Sequence, residues 1–296
     1  MPYLICNKKL GNMQFSNYMH RHRKLRLAAL LAAPITWLVI AYLGAISALL
    51  ITSFFTINTF TGDVIQKFNL GNFQDLLSDP AYRNVALRTL FVAILVTLLC
   101  AILALPMAFF MAKIAAEKTR KILVALILTP LWASYLVKIY AWRTMFEPGS
   151  GVIEWLVGGF GIHSPGFGIF SIVIGLTYLW LPYMILPIYA GLDRLPNSLI
   201  EASGDLGAKN FLTFQKVVFP LVLPNIIAGS MFTFSLSLGD YITAQIIGGK
   251  VQMLGNVVYQ NFSLNLPFAA TISALPILIM GGYLWLIRRT GALNSL

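Results

Sequence analysis

Long runs of apolar residues constrain this chain more than any other feature of its sequence. The first run, residues 28–54, has 27 residues and no charged side chain. A helix needs about 20 apolar residues to cross a bilayer, whereas the apolar part of a cleavable signal peptide has only about 7–15. Hydrophobic residues make up 58% of the chain and charged residues only 10%, which excludes an ordinary soluble domain. The sequence therefore predicts an all-α integral membrane protein.

Six apolar segments are predicted to be transmembrane helices. They cover residues 28–54, 89–112, 122–145, 169–192, 217–239 and 266–287. Residues 1–27 form a basic tail, and residues 28–296 form the transmembrane domain. The polar residues 55–84 are predicted to be an external loop with a short amphipathic piece.

Lysine and arginine residues are unevenly distributed between the connecting segments. Positively charged residues favour the cytoplasmic side of a membrane protein. If both termini are cytoplasmic, the basic residues that lie clearly outside are Lys67, Arg83 and Lys250. The cytoplasmic segments then contain Lys8, Lys9, Arg21, Arg23, Lys24, Arg26, Lys113, Lys118, Arg120, Lys121, Arg194, Lys209, Lys216, Arg288 and Arg289. We therefore predict both termini in the cytoplasm, and we attribute the net charge of +11 to membrane orientation rather than to nucleic acid binding.

A polar connection separates the fourth and fifth predicted spans. The residue before Pro196 is disfavoured in the α conformation, so we predict that a new helix begins close to Ser198. Asn197 or Ser198 can cap the free N–H groups of this helix, which carries Glu201. The distribution of basic residues places this connection, residues 196–216, in the cytoplasm.

The same connection contains a second predicted helix. Gly207 permits a left-handed backbone, or a close approach that a side chain would block. Residues 208–216 are then predicted to be helical, with Phe211, Leu212 and Phe214 lying between lysines. The result is a helix-turn-helix of mixed polarity, exposed beside the membrane.

A motif runs through this connection. It consists of Glu201-Ala202-Ser203, three residues, Gly207, nine residues and Val217-x-Phe219-Pro220. The motif resembles the signature loop of permeases of binding-protein-dependent ABC importers, which usually has Glu-Ala-Ala, three residues, Gly, nine residues and Ile-x-Leu-Pro. Ser203, Val217 and Phe219 stand in place of Ala, Ile and Leu, and the spacing is intact.

The resemblance implies a type I ABC importer permease fold. In that family the loop forms a cytoplasmic coupling helix, which docks in a cleft of the ATPase. The resemblance assigns ATPase coupling to Glu201, Ala202, Ser203, Asp205 and Gly207. The alternative is that the charged residues form the solvated face of an ordinary connecting loop.

A second stretch, residues 237–249, resembles the segment after the fifth helix in permeases of the spermidine/putrescine group. That segment usually has Leu-Gly-Asp/Glu-Phe-Val-Thr-Pro and ends in Leu-Gly-Gly, and here Ala244 stands in place of the proline. Residues 130–151 also resemble the third helix and the following loop of that group. The resemblance covers most of the chain after residue 85 and implies a polyamine cargo, such as spermidine or putrescine.

A carboxylate at the end of an apolar helix is costly unless it meets water, a partner or a cationic cargo. Aromatic faces can hold the ammonium groups of such a cargo. The candidate residues for a solute path are Asp240, Tyr241, Trp142, Tyr140, Glu147 and Trp180. The alternatives are that the aromatic residues form an interfacial belt, that Asp240 faces water, and that Glu147 is a loop residue.

The sequence does not indicate a catalytic or metal site. It has no Gly-x-x-x-x-Gly-Lys-Ser/Thr phosphate loop that would bind ATP. His20, His22 and His163 do not form a set with carboxylates. Cys6 and Cys100 indicate neither a disulfide framework nor a thiolate metal site. We expect no cofactor in this chain, and the resemblance places ATP and Mg²⁺ in a partner ATPase.

These observations predict a permease subunit of an ATP-driven importer in the bacterial cytoplasmic (inner) membrane, rather than an enzyme. The resemblance implies a second homologous permease, two ATPase subunits and an external solute-binding protein as partners, with membrane lipid and without nucleic acid.

Three alternatives remain open. The same importer class carries other cargo, such as an opine-like solute or amino acid derivative, ferric iron or sulfate. A secondary transporter would need ionisable residues in mid-span, and residues 169–192 and 266–287 contain none. A membrane-embedded enzyme would need convergent acid, base or metal groups.

Overall fold

The computed structural model of the chain describes residues 23–58, 61–161 and 163–289. Most of the predicted basic tail lies outside these residues, including the cysteine and the two histidines of the tail. Both termini also lie outside the described residues. The prediction that they are cytoplasmic therefore concerns residues that the structure does not describe.

The chain divides into two compact units, residues 1–52 and residues 53–296. In the first unit, helix α1 (Arg23–Trp37) continues through a π-helical segment (Leu38–Leu43) into helix α2 (Gly44–Thr52). Residues 30–52 of this helix are long and apolar enough to cross a membrane. The helix begins before the predicted first span, residues 28–54, and it continues through Pro34.

The second unit is mostly helical. Its helices are α3 (Gly71–Ser78), α4 (Pro80–Phe109), α5 (Glu117–Trp132), α6 (Tyr135–Phe146), α7 (Val152–Val157), α8 (Ile169–Arg194), α9 (Asn197–Asp205), α10 (Asn210–Thr213), α11 (Phe219–Leu238), α12 (Ile242–Ile247), α13 (Leu254–Phe262) and α14 (Leu266–Arg289). A π-helical segment, Phe110–Ile114, follows α4, and another, Phe214–Val218, joins α10 to α11. A 3₁₀ turn, Gly158–Phe160, follows α7.

A short β-hairpin lies in the segment that the sequence predicts to be an external loop. Strand β1 (Thr56–Ile57) pairs antiparallel with strand β2 (Val64–Ile65). Helix α3 follows the hairpin and packs on α14. The side-chain amide of Asn72 in α3 donates to the carbonyl oxygens of Ser53 (3.2 Å) and Phe55 (2.8 Å), which fixes α3 to the start of this segment.

Helix α4 begins well before the predicted second span, residues 89–112. Its start is capped, because Asp79 Oδ1 accepts a hydrogen bond from the N–H of Ala81 (2.8 Å) and Pro80 occupies the first helical position. A capping aspartate and a proline at this position both favour a helix start. The predicted span is too short because hydropathy does not register the polar first turns of the helix.

The predicted third span, residues 122–145, is broken in the structure. Helices α5 and α6 replace it, and they are bent by 96° relative to each other. Between them, Ala133 and Ser134 have extended backbones, with ψ angles of 140° and 138°. Pro130 lies one turn before the break and removes a backbone donor, and the extended residues then end the hydrogen-bond ladder.

The predicted helix over residues 208–216 begins at Asn210 and is not separate from the fifth span. Residues 210–238 form one continuous helix, which includes the predicted fifth span, residues 217–239, up to Leu238. The π-helical segment of this helix ends close to Pro220. A proline leaves a carbonyl without its usual donor, and local π-helical geometry is one way in which membrane helices accommodate it.

Five helical stretches among the described residues are long and apolar enough to cross a membrane. They are residues 30–52, 80–114, 169–194, 210–238 and 266–288. Helices α5 and α6 form a sixth candidate if the bent pair counts as one span. The number of spans then agrees with the six that the sequence predicts.

Helix α8 occupies the centre of the second unit. It packs against α4 and α11, which also pack against each other. Helix α4 contributes a ridge of side chains spaced four residues apart and each 0% exposed: Val92, Val96, Cys100, Ala104 and Ala108. Residues at this spacing lie on one face of a helix, and small side chains let neighbouring helices approach closely. The ridge therefore sets the distance between α4 and the rest of the core.

Helix α11 approaches α8 closely at Gly229. A side chain there would place its Cβ 2.7 Å from the Sδ atom and 3.2 Å from the Cα atom of Met184. The interior of a protein is close-packed, so these atoms have little room to move away. Glycine is therefore required by packing at this position.

We predict that Gly229→Val lowers the free energy of unfolding by about 1–3 kcal/mol, the usual cost of overpacking a helix interface. The matched control is Gly281→Val in α14, where a Cβ would meet nothing within 4 Å. The midpoint of thermal unfolding in detergent should fall for Gly229→Val only. Equal midpoints for the two variants would contradict the close packing of α11 on α8.

Candidate functional site

Helix α9 carries most of the residues that the sequence assigns to ATPase coupling. Glu201, Ala202 and Asp205 are exposed, and Ser203 is half-buried. Glu201 and Asp205 are four residues apart, so their carboxylates lie on one face of the helix. The structure therefore brings the predicted coupling residues together on a single exposed helix.

The end of α9 shows why glycine stands at position 207. Gly207 has a φ of +81°, in the left-handed region that the sequence predicts. The N–H of Gly207 donates to the carbonyl of Gly204 (2.8 Å), and the N–H of Ala208 donates to the carbonyl of Ser203 (3.1 Å). These two bonds form a Schellman motif, which satisfies the last carbonyls of the helix. The turn fixes the direction in which the chain leaves α9.

The start of α9 differs from the prediction that Asn197 or Ser198 caps it. The capping position is Pro196, which makes no side-chain capping bond. The Oδ1 atom of Asn197 instead accepts a hydrogen bond from Lys113 Nζ (3.0 Å), which also donates to the carbonyl of Leu195 (2.5 Å). Asn197 is therefore the first residue of the helix rather than its cap, and its side chain accepts a charge-assisted hydrogen bond from a distant segment.

An apolar groove lies between α9 and the start of the 210–238 helix. Its volume is about 460 Å³, and Leu199, Leu206 and Leu212 contribute to its walls. Leu206 is 89% exposed. Phe211, which directly precedes the groove residue Leu212 in the sequence, is 76% exposed. Apolar groups exposed together and bordered by charged residues are typical of a protein docking surface. We call this groove and the exposed face of α9 the α9 surface.

The sequence predicts that this connection is exposed, but it does not single out Leu206 or Phe211 as exposed apolar residues. Their position in the chain could have indicated this exposure. Leu206 comes directly before Gly207 and Phe211 directly after Asn210, and large apolar residues beside a turn are difficult to bury together.

Asp240 lies outside the α9 surface, after the end of α11. It is 7% exposed, and both of its carboxylate oxygens accept hydrogen bonds. The hydroxyl of Tyr135 donates to Oδ2, and the N–H of Thr243 donates to Oδ1 (2.9 Å). The carboxylate of Asp240 is therefore largely enclosed by protein in this structure.

Aromatic rings surround the tyrosine that holds this carboxylate. Trp180 stacks on Tyr135, with ring centroids 6.0 Å apart, and it meets the edge of Tyr183 at 5.8 Å. The indole Nε1 of Trp180 is buried and has no hydrogen-bond partner within the described part of the chain. We call Asp240, Tyr135, Trp180, Tyr183 and Thr243 the Asp240 cluster. It contains two of the predicted path residues, and sequence reasoning missed the other three.

The remaining predicted path residues lie elsewhere. Trp142 packs against Phe146 and Tyr178 beside an apolar cavity of about 360 Å³. Tyr241 stacks on Tyr259, with centroids 5.2 Å apart, in a cavity of about 310 Å³.

Tyr140 and Glu147 complete the set of predicted path residues. Tyr140 is 54% exposed, and Glu147 is half-buried at the end of α6. The structure therefore does not gather all six predicted path residues at one site.

The third histidine of the chain joins a small network in the loop after α7. A hydrogen bond of 2.8 Å connects His163 Nδ1 with Glu154 Oε1, and the N–H of Ser164 donates to Glu154 Oε2 (2.8 Å). These bonds lower the pKa of Glu154, with the bond to His163 as the larger cause. Among the residues that the structure describes, no group of three or more His, Cys, Asp or Glu side chains could hold a metal ion.

Comparison with known proteins agrees with this arrangement. Residues 104–290 match the family model described as a binding-protein-dependent transport system inner membrane component. The inner membrane ABC transporter permease protein YdcU of Escherichia coli is 40% identical, over 100% of this chain and 99% of its own length. The spermidine/putrescine transport system permease protein PotB of Haemophilus influenzae is 36% identical, over 67% of this chain and 71% of its own length.

A solved structure shares the fold. It is the crystal structure of a bacterial alginate ABC transporter in complex with an alginate pentasaccharide-bound periplasmic protein. One of its chains superposes with a TM-score of 0.74, over 92% of this chain and 96% of that chain. Since the two are 13% identical in sequence, the likeness concerns the fold alone.

The motif at Glu201, the helical fold and the relatives all point to one family, whose members are permease subunits that work with a separate ATPase and are not enzymes themselves. This chain belongs to the family of binding-protein-dependent transport system inner membrane components, and it is a multi-pass permease subunit of an ABC importer.

Proposed function

We propose that this permease imports a polyamine, such as spermidine or putrescine, that an external solute-binding protein delivers. The observation that carries the proposal is the relationship to a spermidine/putrescine permease over two thirds of the chain. The Asp240 cluster supports it, because this cluster combines a carboxylate with aromatic rings, the groups that bind organic cations.

The charge balance at Asp240 supports a cationic cargo. None of the ion pairs among the described residues includes Asp240, so its hydrogen bonds come from neutral groups. A carboxylate within a membrane protein is costly without a countercharge. Trp180 lies about halfway along α8, which puts the cluster at a depth that a solute crossing the membrane passes. The ammonium group of a polyamine would supply the missing countercharge.

The proposed assembly contains a second homologous permease, two ATPase subunits that bind ATP and Mg²⁺, and the external binding protein. The second permease is a different chain, so the permease pair is a heterodimer. The α9 surface is the docking site for one ATPase, with Glu201, Ala202, Ser203, Asp205 and Gly207 at the contact. Its exposed apolar groups support this assignment, because apolar side chains that are exposed together to water are typical of a protein docking surface.

Both termini and the α9 surface lie on the cytoplasmic side in this proposal. The contact of Lys113 with Asn197 supports it, because it brings the basic loop after α4 to the same end of the bundle as α9. Basic residues concentrated at one end favour the cytoplasmic side. ATP-driven closure of the two ATPases then moves α9 and shifts the helices between inward-facing and outward-facing states.

We predict that Glu201→Ala lowers putrescine uptake about tenfold, because it weakens the coupling between ATPase and permease. Uptake and ATP hydrolysis would be measured in proteoliposomes that contain the assembled transporter and its binding protein. The matched control is Glu117→Ala, which removes an exposed carboxylate from α5, outside α9. Unaltered uptake by Glu201→Ala would contradict a coupling role of α9.

We also predict that Asp240→Asn lowers uptake of putrescine by more than about tenfold, because opposite charges about 4 Å apart attract by about 4 kcal/mol in a partly buried site. The control is Tyr135→Phe, which removes one hydrogen bond to Asp240 and keeps the negative charge. This control should lose much less uptake. Equal losses, with equal falls in the midpoint of thermal unfolding, would show that Asp240 only connects helices.

A further inference from the structure

The junction between α8 and α9 is held by a lysine from another part of the chain. Lys113 lies in the π-helical segment that ends the second long helix. Its Nζ atom donates to the carbonyl of Leu195 (2.5 Å) and to Oδ1 of Asn197 (3.0 Å). Leu195 follows the last residue of α8, and Asn197 is the first residue of α9. One ammonium group therefore bridges the two sides of the corner at Pro196.

An arginine reinforces the same junction. Arg120 Nη1 is 3.2 Å from Asp193 Oδ1, and Arg120 Nη2 donates to the carbonyl of Ala112 (3.3 Å). Asp193 lies in the last turn of α8, where a negative charge is unfavourable because the helix dipole is negative there. The positive charge of Arg120 at the end of α8 is therefore stabilising. Solvent weakens its attraction to Asp193, because both side chains are partly exposed.

A different contact holds the second half of α9. The hydroxyl groups of Ser203 and Thr213 are 2.9 Å apart. Thr213 is buried and belongs to the continuous helix 210–238. Helix α9 is thus fixed at its start to the second long helix, through Lys113, and in its last turn to the helix 210–238, through Ser203. A displacement of α9 would act on both helices at once.

We propose that Lys113 and Arg120 form a clamp that prevents hinging at Pro196 and transmits movement of α9 to α4. Without the clamp, the two-residue connection between α8 and α9 would be the flexible point, and α9 could move without α4. With it, the corner and the end of the second long helix move as one body. Lys113 is a positioning residue in this scheme, and the inference rests on the proposed role of α9 in coupling.

The first test measures putrescine imported per ATP hydrolysed by the assembled transporter in proteoliposomes. We expect Lys113→Met to lower this ratio about tenfold, since α9 then moves without moving α4. Lys113→Arg should restore most of it, because a guanidinium can donate to the same two oxygens. The matched control is Lys118→Met, which removes one positive charge from an exposed position in the first turn of α5 and should leave the ratio unchanged.

The ratio distinguishes transmission from folding. A variant that merely assembles less well loses uptake and ATP hydrolysis in proportion, so its ratio stays constant. An unchanged ratio in Lys113→Met would therefore overturn the proposal, even if total uptake falls.

The second test does not depend on the cargo. Nitroxide labels would be placed on Ser198→Cys in α9 and Thr119→Cys in α5, in the assembled transporter with both native cysteines replaced. Electron paramagnetic resonance should give one narrow label distance with and without ATP, and a broadened distance in Lys113→Met. A narrow distance in Lys113→Met as well would overturn the clamp. If the unaltered transporter fails to import putrescine, the proposed cargo is wrong, and the label distances still decide whether the clamp holds.

Discussion

The packing of α8 between α4 and α11 is the constraint on which the rest of the structure depends. A lipid bilayer provides no hydrophobic force to drive helices together, so their association relies on close contact between complementary surfaces. The ridge from Val92 to Ala108 on α4 and the glycine at position 229 on α11 allow that contact. Helix α8 also leads directly into α9 and carries Trp180 along its length, so the packed core positions both the α9 surface and the aromatic part of the Asp240 cluster.

The two candidate sites use different kinds of interaction. The α9 surface exposes apolar side chains and is held by charged groups at its base, where lysine and arginine meet the carbonyl and carboxylate groups at the end of α8. The Asp240 cluster encloses a single carboxylate and satisfies it with neutral donors. One arrangement is suited to a protein partner and the other to a small cation. Helix α8 connects them, because it contains Trp180 and leads into α9.

The features that the sequence predicts correctly depend on local signals. Hydropathy locates the long helices, and the glycine of the signature motif lies in the left-handed turn that its position indicates. The failures involve partners that are distant in the chain. Asp240 is enclosed because Tyr135, 105 residues away, donates to it. The side chain of Asn197 accepts a hydrogen bond from Lys113, 84 residues away, and does not cap α9. The break at Ala133 was missed for a different reason, since both halves of the bent pair are equally apolar and hydropathy does not report backbone direction.

The break between α5 and α6 has a consequence for solvent. The first N–H groups of α6 have no side-chain cap, and a helix leaves its first four N–H groups without partners in its own backbone. Hydrocarbon cannot satisfy such groups, so irregular backbone at membrane depth must border water or other protein. Lipid tails are therefore kept away from the start of α6. The start of α6 must therefore face protein or water, and its first residue, Tyr135, is held there by its contacts with Trp180 and Asp240.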